Sequence, residues 1–167
     1  MTEQDDLRAK LDEVFSVRER SNMAPTIAKF LKLSEEHPDN AQVLYELGGA
    51  YDTDGQEETA LGYYRRAIEL GLQGKWLRQC YLQMGSTLRN LEKFDESLST
   101  FDLGLSNFPE STSLKIFRAL TLHAMGKVNA SLGSVFEFLA SNLHDEEIQR
   151  YKAALLGNSA YLKELDQ

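Results

Sequence analysis

The feature that most constrains this chain is a pattern that returns. Leu47-Gly48, Tyr51, Gly55, Ala60, Tyr64 and Ala67 form one series. Met84-Gly85, Leu88, Glu92, Ser97, Phe101 and Gly104 form a second, 37 residues later. Arg118-Ala119, Leu122, Gly126, Ser131, Val135 and Phe138 form a third, a further 34 residues on. A near-constant offset of this size means that one supersecondary unit is copied along the chain. The spacings inside each copy are helical. Leu44, Leu47 and Tyr51 stand three and four apart, as do Leu61, Tyr64 and Ile68. Strand-like alternation is absent, and only three prolines interrupt 167 residues. The chain therefore reads as all-α. Two helices per copy leave an apolar face that the next copy must cover, so the copies depend on stacking.

The stretch DTDGQEE, residues 52 to 58, tests that reading, because it resembles the start of a calcium loop. Such a loop takes oxygen ligands at places one, three and five, glycine at six and a bidentate acid at twelve. With Gly55 at six, Asp52 and Asp54 fall correctly, but Ala50 stands at one and Leu61 at twelve. The stretch is instead expected to end one helix, turn at Gly55 and begin the next with acids that favour a helix N-terminus. No metal is expected. His37, His123 and His144 are scattered over three elements, without the spacing of a zinc site.

Small residues fit a helical hairpin. Gly48, Gly85 and Ala119 allow close helix approach, Ala60 and Ser97 do the same on the partner helix, and Tyr51, Tyr64 and Phe101 fill the space beside them. The lone Cys80 excludes an internal disulfide and reads as a small buried residue, with reactivity the alternative because Arg78 is near. Trp76, in the insertion before the second copy, reads as a core anchor or as an exposed contact. No P-loop, nucleophile elbow or dinucleotide motif occurs, and no catalytic residue is expected.

The net charge of −8 argues against nucleic-acid binding and against an anionic membrane surface. MTEQDDLRAK is acidic and lacks the apolar run of a secretory signal, so a cytoplasmic protein is expected. Residues 41 to 74 are acidic and residues 112 to 145 are not, which raises head-to-tail self-association, a homodimer, as an alternative to a separate partner.

VLYELGGAY with ETALGYYRRAIEL, and YLQMGSTLRNLEKFDESLSTFDLGLSNFPES after them, resemble the tetratricopeptide repeat, a helical hairpin reading W-x2-L-G-x2-Y, A-x3-F and a closing proline. Leu44 takes the tryptophan's place, Leu72 stands where the first proline is expected, and Pro109 keeps the second. In the third copy Lys115 and Arg118 stand at places usually apolar, and Leu114, Phe117 and Leu120 carry the stripe instead. LQMGSTLRNL is similar to a segment of a small bacterial group within the family, to which no activity is assigned.

The resemblance implies one domain over 1–167: a degenerate pair at 3–40, repeats at 41–74, 78–111 and 112–145, and a capping helix at 146–165 broken near Gly157-Asn158. It implies a right-handed superhelix of about nine helices. It further implies a non-catalytic adaptor or scaffold that binds a protein or peptide, without a cofactor. The first helix of each pair would line a groove, which places Gln42, Tyr45, Gly49 and Asp52 in it, followed by Gln79, Leu82, Ser86, Arg89 and Asn90, and then Ile116, Leu120 and His123. Apolar residues beside Arg89, Asn90 and His123 suit an acidic or amphipathic segment. Relatives that clamp a chaperone's C-terminal carboxylate use lysine, asparagine and arginine, where this chain has Tyr45, Gly49, Ser113 and Phe117, so that ligand is not expected.

Overall fold

A computed structural model describes residues 3–167. Ten helices occur among them, against the nine expected: α1 (Glu3–Ser16), α2 (Ala24–Glu36), α3 (Ala41–Thr53), α4 (Glu57–Glu69), α5 (Gly74–Asn90), α6 (Phe94–Asn107), α7 (Thr112–Ala124), α8 (Val128–Asn142), α9 (Glu146–Arg150) and α10 (Lys152–Glu164). They fall into two compact units, the first ending at Gln83 and the second running from Met84 to Gln167.

In the first unit, the apolar stripes of α1, α2 and α3 close on one another. Leu7, Leu11, Met23, Phe30, Val43 and Leu47 form the centre of that core. Each such fully buried side chain contributes about 1.5–3 kcal/mol relative to exposure. Asn40 starts α3 by accepting from the amides of Gln42 and Val43 at 3.0 and 3.1 Å. Helix α4 lies against α3 through Ala60, Leu61, Tyr64 and Ala67, all buried. The fit is tight: a β-carbon on Gly48 would lie 2.9 Å from the Tyr64 ring. Tyr51 and Tyr63 stack alongside, their ring centres 5.5 Å apart.

In the second unit the same contact recurs with different atoms. A β-carbon on Gly85 would lie 2.7 Å from the Phe101 ring. The Ser97 hydroxyl donates to the Gly85 carbonyl at 2.7 Å, and 34 residues on the Ser131 hydroxyl donates to the Ala119 carbonyl at 2.7 Å. Ser97 also shares a hydrogen bond of 2.9 Å with the buried Thr121 hydroxyl. The residues of α7 that are buried are Leu114, Ala119, Thr121 and Leu122. Leu120, expected in the apolar stripe, is 47% exposed; the buried side of α7 runs through Leu114, Thr121 and Leu122 instead.

One turn closes all three hairpins. Gly55, Glu92 and Gly126 have φ of +79°, +59° and +79°, and the amide after each bonds back five residues, to the carbonyls of Tyr51, Leu88 and Leu122. DTDGQEE is therefore a helix end, a left-handed turn at Gly55 and the acidic first turn of α4.

The C-terminal segment differs from the expected break at Gly157-Asn158. The interruption lies at Tyr151, and α10 runs unbroken through that dipeptide. The Asn158 side chain donates through Nδ2 to the Ala154 carbonyl one turn back at 2.8 Å. Packing on α8 holds the rest: the Ser159 hydroxyl donates to the Gly133 carbonyl at 2.7 Å, and a β-carbon on Gly133 would lie 2.8 Å from the Ser159 carbonyl oxygen. Asp166 then caps α8, accepting from the Ala130 amide at 2.7 Å and from Asn129 at 2.9 Å. Those bonds hold its carboxyl below the usual range.

Candidate functional site

Helix α3 presents the first unit's candidate face. Tyr45 and Gly49, both expected to face a ligand, line a concavity of 170 Å³. Ala50, Thr53 and Gln83 line it from the repeats, and the rest of the wall comes from outside them: Phe15 at the end of α1, Arg18 and Arg20 in the turn that follows, Met23 just before α2 and Phe30 within it. That turn is ordered. The Asn22 amide donates to the Glu19 carbonyl at 3.0 Å, and the Ser21 hydroxyl donates to the Glu19 carboxylate at 3.0 Å. Arg18 donates to the Phe15 carbonyl at 2.6 Å and lies 3.6 Å over its ring.

Glu46 completes the wall. Burial pushes its carboxyl up to about 7, and nearby Asp12 adds to that, while Arg18 and Lys75 oppose it. The floor is uncharged. Burial raises the Tyr45 phenol well above its ordinary value, and its oxygen lies 3.5 Å from Gln79 Oε1.

Other expected residues of this unit are placed elsewhere. Gln42 lines a separate cavity of 410 Å³, with Asn40, Leu72 and Trp76. Trp76 is half-buried there, with Arg8 4.9 Å and Lys75 4.8 Å from its ring centre, so it is neither a plain core anchor nor a bare contact. Asp52 accepts from the Tyr64 hydroxyl at 3.0 Å, which ties it to the hairpin's own core. Leu82 is half-buried. Cys80 is fully buried, with its sulfur 3.8 Å from the Tyr64 carbonyl, and its thiol is pushed up to about 12 by burial. The reactive alternative fails for that reason.

In the second unit, Ser86, Arg89 and Asn90 stand on α5 and Ile116, Leu120 and His123 on α7. Arg89 joins the two helices: its guanidinium donates to the Phe117 carbonyl at 3.4 Å and lies 5.9 Å over the Phe117 ring. Burial lowers its pKa. Ile116 is half-buried, whereas Leu120 and His123 are exposed. A concavity of 310 Å³ in this unit is lined by none of these residues.

The pattern described as Tetratrico peptide repeat matches residues 41–162. The chain belongs to the tetratricopeptide repeat family. No curated protein matches it. Repeats of this family are generally protein-interaction modules and generally non-catalytic. Among the described residues, no helix is long and apolar enough to cross a membrane, and no group of three or more metal-ligating side chains gathers.

Proposed function

We propose that this tetratricopeptide protein is a non-catalytic adaptor that binds a peptide segment of a protein partner, with α3 and the turn at residues 18–23 as the anchoring face. The observation that carries this is the concavity beside Tyr45 and Gly49, where Arg18 and Arg20 meet an apolar floor. At 170 Å³ it lies below the range of small-molecule pockets, which begins near roughly 300 Å³, and suits a single anchor side chain. Two arginines beside apolar walls favour an acidic residue on an amphipathic segment. Gln79 and Leu82 extend this face along the first unit, Gln42 stands apart from it in its own cavity, and Ser86, Arg89, Asn90, Ile116, Leu120 and His123 form a separate candidate face in the second unit. Asp52 serves the hairpin and not the ligand.

Capture of partners from native lysate tests the proposal. Gly49→Leu fills the concavity without disturbing α3, since a β-carbon there meets nothing closer than 3.9 Å. That variant and the Arg18→Ala, Arg20→Ala pair are expected to abolish capture. Unchanged capture by both removes α3 as the binding face. Unchanged capture by Arg89→Ala with Leu120→Ala removes the second.

The competing reading is a homodimer without a separate ligand. Tyr151 and Tyr161, 58% and 60% exposed at the C-terminal end, favour it. Sedimentation at several concentrations separates the two, and a strict monomer excludes the dimer.

A further inference from the structure

The 310 Å³ concavity of the second unit lies among α6, α7, α8 and α10, on residues that the peptide-binding proposal does not use. Three cations and one acid line it: Lys115, Arg118, Lys163 and Glu137. That balance is the reverse of the chain's own, which has 26 acidic and 18 basic residues. Its apolar walls are Leu105 and Phe138.

Two of the cations have structural work. Arg118 donates through Nε to Asp102 at 2.6 Å, which holds α7 to α6. Lys163 pairs with Glu137 at 2.6 Å, which holds α10 to α8. The Lys115 side chain has neither an ion pair nor a hydrogen bond among the described residues, although the residue is half-buried. The earlier repeats hold apolar or aromatic side chains at the two matching places. Leu44 and Tyr81 precede Lys115, and Leu47 and Met84 precede Arg118; all four are buried, none more than 8% exposed. An unpaired, half-buried ammonium where the fold elsewhere takes leucine or tyrosine opposes stability. The Arg118 bond to Asp102 leaves the two terminal nitrogens of its guanidinium as donors, and that planar fork matches a carboxylate or phosphate.

We infer that this concavity binds a small organic anion: a phosphate ester or carboxylate held by Lys115 and Arg118, with an apolar group against Phe138 and Leu105. Its volume reaches the lower end of small-molecule pockets, roughly 300 Å³. The Lys163–Glu137 pair closes one side, so binding ties α10 more firmly to α8. This site is independent of the peptide face on α3, and neither result decides the other.

Titration of the full chain with phenyl phosphate and with benzoate, followed by amide nuclear magnetic resonance, tests the inference. At least one of the two is expected to give saturable shifts centred on Lys115, Arg118 and Ser141. Phenol, which lacks the charge, is expected to give none. Lys115→Met breaks no ion pair and restores an apolar residue, so it leaves the fold intact and weakens binding about tenfold or more, the loss of one charged hydrogen bond. Lys32→Met, an exposed lysine in the first unit, serves as control and leaves binding unchanged. The inference is overturned if neither anion saturates, if Lys115→Met binds as the wild type does, or if phenol gives the same shifts. An acidic peptide that moves these amides when neither anion does overturns the small-molecule assignment.

Discussion

The α3–α4 hairpin and its counterpart 37 residues later solve one packing problem with different atoms. In the first, the large side chain is Tyr64, and its hydroxyl is satisfied by Asp52 at 3.0 Å. In the second it is Phe101, which needs no such partner, and Ser97 supplies the polar link through the Gly85 carbonyl at 2.7 Å. The residue at the Asp52 place is then Arg89, which is free of the core ring and reaches instead to the Phe117 carbonyl. A third solution follows in the third hairpin, where Val135 stands at the ring's place and Ala119 at the glycine's. A large ring goes with glycine and a smaller side chain with alanine. What repeats along this chain is the filled volume and the satisfied polar atom, not the residue.

The sharpest way to break that comparison is a double-mutant cycle on Gly85 and Phe101. Gly85→Ala is expected to cost about 2 kcal/mol by overpacking, although alanine is the better helix former. In a Phe101→Val background, which copies the third hairpin, the same change costs little, for a coupling of at least about 1 kcal/mol. Urea unfolding measures both. Equal costs in the two backgrounds mean that the ring does not require the glycine. Next in size is Ser97→Ala, which copies the first hairpin's Ala60 but keeps Phe101. It removes two buried hydrogen bonds and is expected to cost about 1–2 kcal/mol.

Glu92 sharpens the comparison in the opposite direction. It is the only non-glycine residue among those described with positive φ, and it holds the turn that Gly55 and Gly126 make in the other hairpins. Glu92→Gly is expected to stabilise the chain by about 1 kcal/mol, through relief of left-handed strain that exceeds the added chain entropy. A loss of stability contradicts the three-turn equivalence.

A separate test is a pH dependence confined to the first unit. The folded Glu46 carboxyl is pushed from its ordinary 4.5 up to about 7. The folded state therefore binds more protons than the unfolded state between those values, and its stability falls as pH rises through that window. Glu46→Gln is expected to flatten this part of the stability profile. The same titration makes binding of an acidic segment weaken from pH 6 to pH 8, as Glu46 gains charge beside Arg18, and a pH-independent affinity removes Glu46 from the site.

The hairpins were legible in the sequence because their determinants are local and recur. Gly48, Gly85, Tyr64 and Phe101 keep one spacing within each unit, and the turn glycines keep another. The candidate site was legible only in part. Tyr45 and Gly49 follow from the repeat register, but Arg18 and Arg20 precede α3 by more than twenty residues and belong to a segment without the repeat signature. The hint was the basic pair in VRER after an acidic first helix. The bond from Tyr64 to Asp52 was not legible, because it spans the turn and helical spacing does not show which side chains meet there. The break in the last helix was misplaced because Gly157 and Asn158 disfavour helix locally, while contacts with Gly133 on α8 override them.

The central claim is that a partner engages α3 and the turn before α2. Amide hydrogen exchange, with and without the partner captured from lysate, tests it most directly. Slower exchange across residues 41–53 and 18–23 is expected on binding. Protection confined to α8 and α10, with those two segments unchanged, contradicts it.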